Sequence, residues 1–168
     1  MNVSAPDLRA SLEKETVRSA SKVALVALWL VLVATLLTSL PGVDRLIPYT
    51  PVTVAAVLGA IVAAVVAGLL VYLAPKVMTL VELALEGPAA VVENLSSAVY
   101  WLVVLAAVLV AHRGMAGAIT PLMGDLAWLY DVAFLLLGLP AVVFLAVRLY
   151  DALDPGSELV AEKVAGSE

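Results

Sequence analysis

Four long apolar runs, 23–40, 52–74, 95–111 and 126–147, occupy most of the chain. None holds a lysine or arginine, and only the fourth holds an acid, Asp131. A helix that crosses a bilayer needs about 20 predominantly apolar residues, within a working range of ~17–25. All four runs meet that requirement, the third at its short end. Lipid offers no partner for an unpaired peptide group, so a spanning segment must be a helix or part of a closed barrel. Barrel strands alternate apolar and polar residues, and these runs do not. The expected fold is therefore all-α: a compact four-helix transmembrane bundle, 23–147, between polar tails 1–22 and 148–168.

Composition agrees with this. Of 168 residues, 64% are hydrophobic, against roughly 45–50% in soluble domains. The chain carries 9 basic and 14 acidic residues. That balance argues against nucleic acid as a partner, because phosphate contacts need a basic face. There is no cysteine, and His112 is the single histidine. Disulfides, thiolate catalysis and a multi-histidine metal site within one chain are thereby excluded, and no cofactor is expected.

The segment before the first run mixes Asp7, Glu13 and Glu15 with Arg9, Lys14, Arg18 and Lys22. No small-residue cleavage site follows the run, so it reads as a retained span and not as a secretory signal. Lysine and arginine set orientation, since cytoplasmic segments carry their excess. Arg9, Lys14, Arg18 and Lys22 precede the first run, Lys76 lies between the second and third, and Arg148 and Lys163 follow the fourth. Arg45 and Arg113 occupy the two remaining connections. Both termini and the middle connection are thus expected in the cytoplasm of a multi-pass protein of the cell membrane. Tyr49, Trp128 and Tyr130 then belong to the outer aromatic belt.

The outer connections are short and rich in helix breakers: Pro41, Gly42, Pro48 and Pro51 in one, Gly114, Gly117, Pro121 and Gly124 in the other. The middle connection is more ordered. Thr79, Glu82 and Glu86 recur at helical spacing, Gly87 supplies a stop, and Pro88 suits the first turn of a new helix. This predicts a cytoplasmic extension of the second helix, a sharp corner, and a third helix that starts outside the membrane. Glu82, Glu86 and Glu93 make an inner acidic face there, directed to water, a partner or the basic N-terminal tail.

Three constellations stand out. The second run carries two small-residue stripes, Ala55, Gly59, Ala63, Ala67 and Ala56, Ala60, Ala64, Gly68. Small residues four apart let helix backbones approach in lipid, so one stripe can face inward and the other a second subunit. Asp131, near the outer end of the fourth run, needs a partner at that depth; His112 or Arg113, ending the third run on the same side, can supply it as a structural clamp. Gly138 and Pro140 interrupt the fourth run, but no polar side chain adjoins them, which suits a kink better than a transport site.

No nucleophile elbow, phosphate loop or zinc-protease motif is present. The central membrane half carries no ionisable residue, whereas ion or proton relays need polar steps between the faces. The expected function is a non-enzymatic scaffold or accessory subunit that associates through its small-residue faces, as a homo-oligomer or with a membrane-protein partner. The alternative is a small channel or transporter whose pathway forms between subunits.

Overall fold

The computed structural model describes residues 5–85 and 87–152, with side chains from Lys14 onward; residues 1–4, Glu86 and residues 153–168 lie outside the description. Four α-helices follow one another: α1 (Ala5–Thr38), α2 (Val54–Ala84), α3 (Ala89–Met123) and α4 (Ala127–Asp151), with a 3-10 turn, Gly124–Leu126, before α4. Among the described residues there is no strand beyond one isolated bridge, Leu46 to Thr53. Three stretches are long and apolar enough to cross a membrane: Lys14–Thr38, Val54–Ala84 and the 63-residue stretch Ala89–Asp151, which takes in α3, the turn and α4.

Each helix ends where local chemistry requires it. Residues 7–40 hold neither proline nor glycine, so the N-terminal segment and the first apolar run form one helix of 34 residues. Pro41-Gly42 closes it, with Gly42 at φ +96°. Thr53 caps α2 by accepting a hydrogen bond from the Ala56 N–H at 3.1 Å, which satisfies one of the free donors at a helix start. α2 continues through Pro75 and ends at Leu85 in extended conformation. Pro88 then occupies the N-cap of α3, one position before the first-turn site expected for it.

The connection expected between the third and fourth runs is largely helix. α3 runs unbroken through Gly114, Gly117 and Pro121 and stops only at Gly124, whose φ is +54°. A glycine inside a helix costs about 1 kcal/mol relative to alanine. Here the cost is offset by packing: a Cβ on Gly117 would stand 3.6 Å from the Ala56 Cβ, and one on Gly114 would overlap the Cβ of Ala63. These glycines serve the seam with α2, not a loop.

The helices pack as an antiparallel row. α1 touches α2, α2 touches α3, and α3 touches α4; among the described residues no other pair of α-helices is in contact. This corrects the expectation of a compact bundle, whose first and last helices would also meet. In lipid no hydrophobic drive pulls bulky faces together, and association follows close backbone approach. α4 leaves Leu136, Leu137, Val143 and Val147 exposed and offers no second small-residue seam on which the row could close.

The interior is built of small residues. Ala63, Ala74, Ala98, Ala107 and Ala141 are buried, and the largest fully buried side chain is Ser96. Large apolar side chains point out along the helices, including Leu28, Trp29 and Leu36 of α1. Water-soluble monomers rarely expose continuous apolar surface of this extent. With the lengths and hydropathies of the helices, this arrangement fits a membrane-embedded protein.

Candidate functional site

Polar side chains gather at the two ends of the row. One is the corner end, where 85–88 joins α2 to α3; the other is the loop end, where residues 39–53 and the 3-10 turn lie.

At the loop end, α3 and α4 run antiparallel and place His112 opposite Asp131. Their side chains meet, Nε2 to Oδ1, at 2.9 Å. His112 is one-third exposed and Asp131 70% exposed, so the pair is open on one side. The Tyr130 hydroxyl donates to the backbone oxygen of His112 at 2.5 Å. The His112 ring packs against Tyr130 and Phe134, each with ring centroids 5.2 Å away. Tyr130 and Phe134 also touch each other at 4.8 Å. The imidazole is thus held by two rings and oriented by a carboxylate.

Tyr130 is 5% exposed. It turns into the α3 contact and does not join an outer aromatic belt, because its hydroxyl finds the His112 carbonyl there. Trp128 and Tyr49 are exposed. The four-residue spacing of Tyr130 and Phe134 on α4 was the available sequence signal for the aromatic clasp; it places both rings on one helix face.

Arg113 takes no part in this pair. It points to the other side of α3, into a cleft over α2 that it shares with Thr35 and Thr38 of α1. Neighbouring positions on a helix diverge by about 100°, so His112 and Arg113 cannot face the same partner.

Between α3 and α4, a cavity of about 610 Å³ extends from His112 and Asp131 down to Gly138 and Val142. Its walls are Leu, Val and Phe apart from the polar pair at its end. α4 continues as helix through Gly138 and Pro140.

The second stripe of α2 divides. Ala56 adjoins Gly117 of α3, whereas Ala64 and Gly68 are exposed, with nothing within 4 Å of a Cβ placed on Gly68. In the first stripe, Ala63 is buried against Gly114, while Ala55, Gly59 and Ala67 are partly covered. Ala60 of the second is likewise partly covered.

At the corner end, Ser96 is fully buried, its hydroxyl 3.1 Å from Glu82 Oε1 and 3.0 Å from the Glu93 carbonyl. Arg148 donates to Asn94 Oδ1 at 3.1 Å, and Trp101 stacks on Phe144 at 4.6 Å. Lys76 donates to the Ser19 hydroxyl and lies 4.4 Å above the Tyr72 ring. Glu82 and Glu93 are both exposed and meet through the Ser96 hydroxyl, Glu82 by its carboxylate and Glu93 by its carbonyl, and Glu86 is outside the description.

Ser96 and Ser97 stand 16 and 15 residues from His112 on the same helix, roughly 24 Å at 1.5 Å per residue. Over that distance neither Ser96 nor Ser97 can form a relay with His112 of the same chain. Among the described residues no three His, Asp or Glu side chains converge on one point. No protein-family model matches the chain, and neither a curated protein nor a solved structure shows significant similarity to it.

Proposed function

We propose that the chain crosses the membrane four times, with both termini and the 85–88 corner in the cytoplasm, and serves as a non-enzymatic scaffold or accessory subunit. The observation that carries the four crossings is the fold-back of the 63-residue stretch Ala89–Asp151. His112 faces Asp131 while Asn94 faces Arg148, so α3 and α4 lie side by side, each long enough for its own passage. The lysine and arginine distribution supplies the orientation.

The scaffold reading rests on the interior. Ion and proton paths need polar steps at membrane depth; here buried Ser96, Ser97 and Tyr130 lie toward the two ends of the row, and between them the buried positions of α2, α3 and α4 are Ala63, Val66, Ala98, Ala107, Gly138 and Ala141. The exposed small residues Ala64 and Gly68 leave part of α2 open to a neighbouring helix, in a second copy or another membrane protein.

The test is the mass of the purified protein in detergent, followed by solute and ion flux in liposomes. A defined oligomer or co-purifying complex without flux is the expected result. Selective flux would replace the scaffold with a channel formed between subunits.

A further inference from the structure

The cavity between α3 and α4 is apolar along its length and polar at one end, where His112 and Asp131 close it. Asp131 stands five residues inside the fourth apolar run, and Val142, at the far end of the cavity, eleven residues further on. At 1.5 Å per residue these lie roughly 8 and 24 Å from the start of the run. The cavity thus lies at hydrocarbon depth, with its polar end toward the loop end of the row. Its volume of about 610 Å³ falls among those of ligand pockets, about 300–1,000 Å³. It is open to the bilayer on one side, where Leu135 is 65% and Leu139 51% exposed.

Asp131 is half satisfied there. Its Oδ1 meets His112 Nε2 at 2.9 Å. Among the described residues no protein group donates to its Oδ2, and no lysine or arginine pairs with the carboxylate. Arg113 faces the α1 side, and the other acid near this end of α4, Asp125, is exposed on the 3-10 turn. A carboxylate with an open oxygen at membrane depth is costly until a donor reaches it. A cationic donor supplies both the hydrogen bond and the opposite charge.

We propose that this cavity binds a lipophilic amine, its ammonium donating to Asp131 Oδ2 and its apolar body laid along Val108, Leu135, Leu139 and Val142. A hydrated inorganic cation gains nothing from walls of leucine and valine. The amine of a phospholipid is tied to a phosphate, which would have to leave the headgroup level and enter hydrocarbon for the amine to arrive. An amine without phosphate meets neither obstacle. The proposal rests on α4 crossing the membrane, but not on the orientation or on the scaffold role. An inverted topology or a conducting oligomer would leave the site as it is. Cysteine labelling measures the crossings separately, so their failure and the failure of this site are distinguishable.

Radiolabelled dodecylamine, added to the protein in phosphatidylcholine nanodiscs and to empty nanodiscs, tests this. The protein should retain dodecylamine saturably above the empty discs, and dodecanol, with the same chain and a neutral head, should not displace it. Loss of a hydrogen bond to a charged group weakens binding about ten- to hundredfold, which is the effect expected of Asp131→Asn. Leu139→Trp fills the cavity from its open side while keeping the polar pair. It should also reduce retention, which covers an Asp131 variant that fails to fold. His112 is the single histidine, so histidine-labelled protein gives one imidazole NMR signal. That signal should shift along the binding curve in the native chain and stay in place in Leu139→Trp. Equal displacement by dodecanol, undiminished retention in either variant, retention without a shift of the His112 signal, or no retention above empty discs would overturn the proposal.

Discussion

Gly114 leaves no space for a side chain where α3 crosses α2, because its missing Cβ would overlap that of Ala63 and stand 3.5 Å from the Ala63 Cα. Overpacking of a close contact costs about 1–3 kcal/mol. Gly114→Ala should lower stability in detergent by that order, and Ala63→Gly in the same chain should recover part of it; unfolding curves of the three variants provide the check. Gly68→Leu should not lower the stability of a single chain, because nothing lies within 4 Å of a Cβ placed there and the helix gains about 1 kcal/mol on losing a glycine. Tyr49 presents a different single-residue problem. It follows Pro48 in a turn closed by the Thr50 N–H on the Ile47 carbonyl at 3.0 Å, and its φ is +64°. A non-glycine residue there costs about 1–2 kcal/mol. Tyr49→Gly relieves this but frees the unfolded chain by about 0.4–1 kcal/mol. A net gain of about 0–1.6 kcal/mol is therefore expected, and a lowered unfolding midpoint would mean that the exposed ring anchors the loop at the membrane surface.

Between elements, the α3–α4 contact is defined by the His112–Asp131 pair, the Tyr130 hydroxyl on the His112 carbonyl, and the Trp101–Phe144 stack. Hydrogen bonds between membrane helices contribute about 0.6 kcal/mol on average and at most ~1.7 in double-mutant cycles. A cycle of His112→Leu and Asp131→Leu should return a coupling in that range. A parallel cycle of Arg113→Leu with Asp131→Leu should give additive losses, since Arg113 faces the α1 side. Coupling in the second cycle and none in the first would reverse the assignment of the partner. Tyr130→Phe should weaken the same contact by about 0.5–1.5 kcal/mol, the usual worth of one hydrogen bond.

At the scale of the molecule, an antiparallel row leaves the outer faces of α1 and α4 to the surroundings, and among the described residues no contact joins these two helices. The orientation is open to direct measurement because the native chain has no cysteine. Single cysteines beside Arg45 should react with an impermeant reagent in sealed cells, and one at Gly87 should not. Reaction at Gly87 would overturn the proposed topology. If α2 associates through Ala64 and Gly68, Gly68→Leu should reduce the mass of the complex without lowering the stability of the single chain. An unchanged mass would place the association elsewhere.

The sequence by itself determined the helical character of the chain, the positions of its apolar stretches, and the corner after Ala84. These follow from hydropathy, proline and glycine, which act locally. It also narrowed the partners of Asp131 to two neighbouring residues. Only tertiary packing chose His112, because the direction of a side chain around α3 depends on where α4 lies. The same holds for Gly114 and Gly117. In sequence they read as loop residues, and α3 remains helical through them because α2 presents Ala56 and Ala63 at matching heights. Whether the helices close into a bundle also lay beyond composition. An apolar helix contents itself with lipid on any face, so the row follows from which faces carry residues small enough for two backbones to meet.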